Sequence, residues 1–423
     1  LFSYLANLVP GPTPRNQERK SGNLISELLP LEDILTGRPP SKSGQQINVT
    51  SAFTISTFMR CANTIADGIA SVPASPYQRN KETGHKIEVV DHPLYEIFNV
   101  AANEYMTGFD LRHVLATHAA TWGDAYCFIV RVGGKIRELL PIDPAFVTPK
   151  LNDQWQRVYD VCGMKTMDGR DIPQSEIFHV AGPGWNGVYG WRQIDAARER
   201  LGLALSAEEH HARMHSNGGR VGGMVSVDGT LNKTERKELK EWIDKNFSGP
   251  ENAWNWMVMD SGMKFTPVAS TGVDAEHLAT REYEAREICI GMGVLPAVIG
   301  LPEKSASYSS VESMFLQHVI QTIRPWHRRV EAAINKQLFT PAERKQGYLF
   351  EFSAAPLLTG SAVDRANYYS SGINAGWLTR NEARQKEGFD PIDGLSEPTI
   401  PLNISTQAAS KSTPQDNQPP AQQ

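Results

Sequence analysis

The sequence predicts an α+β fold on three observations. Several long segments repeat apolar residues every three or four positions, the period of an amphipathic helix. The stretch DAYCFIVRVGGKIRELLPIDPAFVTPKL alternates instead, on both sides of Gly133-Gly134, as a β-hairpin does. A small strand, helix and strand module sits between two further long helical segments. With 423 residues, the chain has length for roughly two to four domains or one elaborate multi-segment subunit, and for a real core.

Taken in order, residues 1–44 are rich in Pro, Gly and Ser. They predict an extended arm with short helical pieces around Leu24–Leu35, of the kind that reaches a neighbour. From Thr50 to Ile69, the series Phe53, Ile55, Phe58, Met59, Ala62, Ile65, Ala66 and Ile69 is helical and ends before Pro73. Phe109 to Thr121 gives a second helix, the Gly133-Gly134 hairpin follows, and RVYDVCGM and EIFHVAG continue the β character. Ile194 to Asn217 reads as a long helix closed by Gly218-Gly219 as a left-handed cap. The insert then holds the strand GGMVSV, a charged helix from Asn232 to Phe247 and the strand pair WNWMVMDSGMKFTPV, before a helix from Asp274 to Met292.

The loop LPAVIGLPEKSASYSS contains Pro296, Gly300 and Pro302, so it extends neither neighbouring helix and is expected to be mobile. The stretch YSSVESMFLQHVIQTIRPWHRRVE follows. Its Ser309, His318, His327 and Glu331 are residue types a hydrolase uses, but Val311, Phe315, Val319, Ile323, Trp326, Val330, Ile334 and Leu338 lie on one helical face. This predicts a strut from Ser310 to Leu338, about 43 Å long at about 1.5 Å per residue. It opens with a capping box of Ser309 and Glu312, bends at Pro325 and carries its polar residues on the wet side. YLFEFS reads as a strand. A helical pair split at Gly376 comes next, its second helix opening with the capping box Thr379 and Glu382; the polar end of the chain is expected to be disordered.

Composition narrows the function. A net charge of −5 and a pI near 6.2 argue against a large basic face that grips nucleic acid. Cys61, Cys127, Cys162 and Cys289 are widely spaced, form no CxxC pair and suit a reducing compartment. No run approaches the roughly eighteen apolar residues of a membrane span. LFSYLANLVPGP lacks the basic flank and small-residue cleavage site of a signal peptide. GGRVGG at 218–223 joins helix to strand with no Lys-Ser/Thr after it, the reverse of a phosphate loop. HARMH places His211 and His215 on one helical face as half of a metal site, but the Glu of HExxH is missing. GxSxG and a Walker A motif are absent, so no enzyme, cofactor or metal is expected.

Five segments carry a resemblance: LLPIDPAFVTP at 139–149, HHARMHSNGGRVGGMVSV at 210–227, GMGVLPAVIG at 291–300, YSSVESMFLQHVIQTIRPW at 308–326 and AGWLTRNEARQKEG at 375–388. In this order, around a helix-module-helix insert, they resemble the portal proteins of tailed bacteriophages of the long-tailed lambdoid type, over roughly residues 45–395. The resemblance implies a homo-oligomeric ring of about twelve subunits. It assigns 1–44 to an N-terminal arm, 45–192 to a wing, 193–217 and 274–295 to two stem helices, and 218–273 to a clip. It assigns 296–309 to a tunnel loop, 310–356 to a long kinked helix and a wing strand, 357–395 to a crown and 396–423 to a disordered tail.

The implied role is the channel at one capsid vertex of the virion, built in the host cytoplasm, through which double-stranded DNA is packaged and ejected without being read. Implied partners are other copies of the chain, the terminase large subunit, the head-tail adaptor and the major capsid protein or scaffold, with no membrane. Asp274, Glu276, Glu282, Glu284 and Glu287 outnumber Arg281 and Arg286 on the second stem helix, so a ring would line its channel with acid and let phosphates slide. The channel- or DNA-facing candidates are Glu276, Glu284, Lys304, Ser305, Ser307 and Tyr308. Trp254 and Trp256, which share one strand face, and Lys237 are the clip's docking candidates. Two other readings are a metal-dependent hydrolase using His211 and His215, and an adaptor that forms no ring.

Overall fold

The computed structural model describes residues 40–82, 84–162, 171–216, 223–226, 232–247, 264–267, 273–301, 308–353 and 362–399. Two units are distinguished, Leu1–Ser353 and Ala354–Gln423.

In the first unit the helix expected over 50–69 is two: α1 (Val49–Thr54), capped reciprocally by Asn48 and Ser51, and α2 (Ser56–Ala70). Ile55 between them is extended and buried, because sinking this side chain into the core turns the chain between the two helices. Phe58, Cys61, Ala62, Ile65, Ala66 and Ile69 form the buried stripe of α2. Strands β1 (Ala74–Arg79) and β2 (Lys86–Glu88) follow, then α3 (Pro93–Asn99) and α4 (Gly108–Trp122), which Thr107 and Asp110 cap as a box. Gly123 ends α4 in the left-handed conformation, φ 86°, where a Cβ would collide with the carbonyl of Trp191; only glycine fits both constraints.

The predicted hairpin is β3 (Asp124–Val132) and β4 (Lys135–Ile142), with a register irregularity between Val130 and Arg131. After a short 3-10 turn come β5 (Val147–Leu151), β6 (Arg157–Val161), β7 (Ile172–Pro173) and β8 (Ile177–Ala181). β8 pairs antiparallel with β3, giving the order β4-β3-β8, and β5-β6-β7 form a second antiparallel sheet. Tyr126, Val147, Tyr159, Val161, Ile172 and Ile177 make a shared core between these sheets.

The first long helix after the sheets is interrupted at Ala197, giving α5 (Gln193–Ala196) and α6 (Arg198–Ser216). The insert contributes β9 (Gly223–Ser226), α7 (Lys233–Phe247) and β10 (Lys264–Pro267); β9 and β10 pair antiparallel, Phe265 opposite Val225. α8 (Val273–Met292) then returns beside α6. Residues 40–45, the first that the structure describes, contact α6 of their own chain. The Lys42 backbone donates to Glu199 at 3.0 Å and Gln45 Nε2 to Glu209 at 2.7 Å.

The strut is α9 (Tyr308–His318), a π turn over Val319–Ile323 and α10 (Arg324–Gln337). Pro325 is the cause: it has no N–H for the carbonyl of Gln321, and the wider turn just before it accommodates the lost bond. α11 (Pro341–Lys345) leads to β11 (Tyr348–Phe352), which joins β1 and β2 in the order β11-β1-β2.

The second unit has α12 (Ala362–Asn374) and α13 (Arg380–Lys386) on either side of Gly376, which has φ 76°. α13 opens with the expected box, Thr379 Oγ1 accepting from the Glu382 N–H at 3.1 Å and Glu382 accepting from the Thr379 N–H at 2.8 Å.

Candidate functional site

The strut holds the residues that first suggest chemistry, and burial corrects the expectation that they face water. His318, His327 and Glu331 are all buried. His327 stacks on Phe352 with ring centroids 4.6 Å apart and planes 8° from parallel, and its Nε2 lies 3.2 Å from the Gly68 carbonyl. Burial lowers its pKa to about 4, so the ring is neutral and donates to that carbonyl. Glu331 accepts from the Phe352 N–H at 2.9 Å and from Arg328 at 3.0 Å, with its pKa raised by burial. These groups fasten α10 to β11 and α2. The capping-box side chains of Ser309 and Glu312 lie outside the described residues.

Two amides on the same helix grip two different sheets. Asn335 Nδ2 donates to the Phe350 carbonyl at 3.1 Å while its Oδ1 accepts from the Phe350 N–H at 2.7 Å. Gln337 does the same to His179, donating at 2.6 Å and accepting at 2.9 Å. Each amide copies the pairing of a neighbouring strand. The buried His179 ring completes the lock: Nε2 donates to Asp124 Oδ1 at 2.8 Å, and Nδ1 accepts from Tyr159 and Arg157, each at 3.1 Å. Asp124 also accepts from the Gly190 N–H at 2.9 Å. Burial lowers the His179 pKa and pushes the Tyr159 hydroxyl up to about 12, so both stay neutral at physiological pH. Sequence reading misses this network because its partners lie far apart along the chain.

The channel candidates separate sharply. α6 and α8 are tied by Arg200 and Glu287, 3.3 Å apart. On α8 Glu282 is exposed, but Glu284 is 5% exposed and its pKa is raised by burial, with Arg281 opposing. Within the single chain Glu284 is thus enclosed, whereas Glu282 is open to solvent. The Glu276 and Tyr308 side chains and all of Lys304, Ser305 and Ser307 lie outside the described residues. Leu203 on α6 and Tyr283 and Ile290 on α8 are instead exposed, as are Phe315, Leu316 and Ile320 along the strut.

In the insert Lys237 is exposed and lies 3.7 Å from Glu241, one helical turn away, a pair worth about 0.3–0.5 kcal/mol in water. Trp254 and Trp256 lie outside the described residues. Trp242, which sequence reading passes over, is 46% exposed on α7; an indole in an otherwise charged helix is its one signal. A further aromatic surface went unread: Trp155, Trp185, Tyr189 and Trp191 are exposed, and Arg157 bridges their loops by donating to the Gly187 carbonyl at 2.7 Å.

Among the described residues, no group of three His, Cys, Asp or Glu is placed to hold a metal ion, and no helix is long and apolar enough to cross a membrane. His211 is partly buried on α6, and the His215 side chain lies outside the described residues.

Residues 56–388 match the family model described as phage portal protein. The portal protein of Enterobacteria phage HK97 is 27% identical over 351 residues, covering 82% of this chain and 82% of its own length. The crystal structure of an HK97 family phage portal protein from Corynebacterium diphtheriae aligns with a TM-score of 0.55 at 16% identity, over 76% of this chain and 98% of that one. A chain from the neck of a native gene transfer agent particle, computed with C12 symmetry, aligns with a TM-score of 0.54 at 21% identity, over 81% and 92% of the two chains.

Proposed function

The chain belongs to the phage portal protein family, and from that premise we propose that it is a non-enzymatic subunit of a ring of about twelve copies set at one capsid vertex. The observation that carries the ring is the apolar surface left on the stem. Leu203, Tyr283 and Ile290 are exposed on α6 and α8, the two helices that bracket the insert. Apolar side chains exposed along neighbouring helices mark a surface that another protein covers, and copies of the same chain cover it most economically.

In this reading the ring encloses double-stranded DNA without reading its sequence. Glu282 and Glu276 supply acid near the path, and Lys304, Ser305 and Ser307, with Tyr308 at the start of α9, touch phosphates. Lys304 is the only basic residue between Pro296 and Ser309 and stands next to Glu303, so each subunit offers one weak, screened contact. The insert, with Trp242, Trp254, Trp256 and Lys237, docks the terminase large subunit first and the head-tail adaptor afterwards. Capsid protein or scaffold holds the outer surface, and assembly takes place in the host cytoplasm.

Complementation tests the role. A phage lacking this gene, supplied with the chain in trans, should fill its heads with DNA and join tails. Full heads with no chain supplied would overturn the assignment.

A further inference from the structure

Two cysteines 228 positions apart in sequence meet inside the first unit. Cys61 lies in the buried stripe of α2, and Cys289 lies in the last turn of α8. Both are 0% exposed, and their sulfurs are 3.8 Å apart, the Cys61 thiol donating to the Cys289 sulfur. The other two cysteines differ: Cys127 is buried in β3, and Cys162 is exposed just beyond β6.

We propose that Cys61 and Cys289 are a covalent modification site, a thiol pair that hydrogen peroxide converts into a disulfide joining α2 to α8. A disulfide needs its sulfurs about 2.0 Å apart, so the pair must close by roughly 1.8 Å, a movement within reach of small side-chain rotations. The pair is polarised for the reaction. The hydrogen bond from Cys61 lowers the pKa of Cys289, whereas Cys61 itself is raised by its bond to Cys289 and by burial. Cys289 is therefore the attacking group and Cys61 the resolving one.

The Cys289 thiolate attacks one peroxide oxygen and breaks the O–O bond, giving a sulfenic acid and hydroxide, which takes up the proton Cys289 lost. Cys61 then attacks the sulfenic sulfur, the S–S bond forms, and the leaving hydroxide takes the Cys61 proton. Two thiols are oxidised to one disulfide while one peroxide is reduced to two waters. Full burial selects the oxidant: peroxide is close to water in size, whereas a disulfide reagent must bring a third sulfur into line with the other two. The link would close a very long loop, which stabilises chiefly by restricting the unfolded chain. The site belongs to the single chain and does not depend on ring formation.

The test uses the full chain carrying Cys162→Ser, which removes the exposed thiol. The protein is treated with hydrogen peroxide, alkylated, and digested without reductant. The expected result is one linked species containing the Cys61 and Cys289 peptides, abolished by dithiothreitol. The oxidised protein should also unfold at a higher temperature than the same sample after dithiothreitol. Recovery of the two peptides separately, whether alkylated or as sulfinic acids, would overturn the proposal, as would linkage of either one to Cys127. Reduction and oxidation of one folded sample avoid reliance on a core substitution.

Discussion

Gln337 holds His179 by both of its backbone groups, donating to the carbonyl at 2.6 Å and accepting from the N–H at 2.9 Å. The amide stands where a further strand would lie, so the end of α10 closes the free edge of β8. Gln337→Ala leaves both groups without this partner and is expected to cost about 1–3 kcal/mol. Gln337→Glu sets a carboxylate oxygen against the His179 carbonyl and should cost at least as much. Chemical denaturation of the two variants checks this; parent-like midpoints for both would refute the role.

The same strut predicts an acid sensitivity. His327 has its pKa lowered from 6.5 to about 4 in the folded chain. Between those values the unfolded chain binds a proton that the folded chain refuses, so stability rises with pH there and falls as pH drops through the window. The full difference corresponds to roughly 3 kcal/mol. His327→Phe removes this contribution. The stability gap between parent and variant should therefore change across pH 6.5 to 4, and a gap independent of pH would contradict the assignment.

Glu284 behaves in the opposite sense. Burial raises its folded pKa, so its contribution to stability is present in acid and is lost as pH rises through the folded value. Glu284→Gln removes the cost of a buried charge. The variant is expected to match the parent at low pH and to be more stable at neutral pH, by about 1 kcal/mol or more. Thermal unfolding at the two pH values measures it; a variant less stable at neutral pH would show that the carboxylate is needed.

Trp254→Ala combined with Trp256→Ala should leave rings intact and block DNA packaging or tail joining, if these indoles anchor a partner. Electron microscopy of the variant particles distinguishes the outcomes. Rings that no longer form would place the indoles between subunits instead.

Much of the fold was legible because period and capping are local signals. The Gly133-Gly134 hairpin, the Thr379–Glu382 box and the helices flanking the insert could each be read within a short window. What the sequence hid depends on distant partners. Nothing near Ile55 announces that its burial splits a helix, and nothing near His179 points to Asp124 or Gln337. The burial of Glu284 was hidden for the same reason. Helical spacing assigns a residue to a face, but only the packing of α8 against its neighbours decides whether that face is wet.

Mass and symmetry of the assembled protein test the central claim most directly. The account predicts that the purified 423-residue chain, examined by cryo-electron microscopy and sedimentation, forms closed rings of about twelve 46.8 kDa subunits with a central hole. A population that stays monomeric at micromolar concentration across several salt conditions, with no such ring in phage particles, would contradict it.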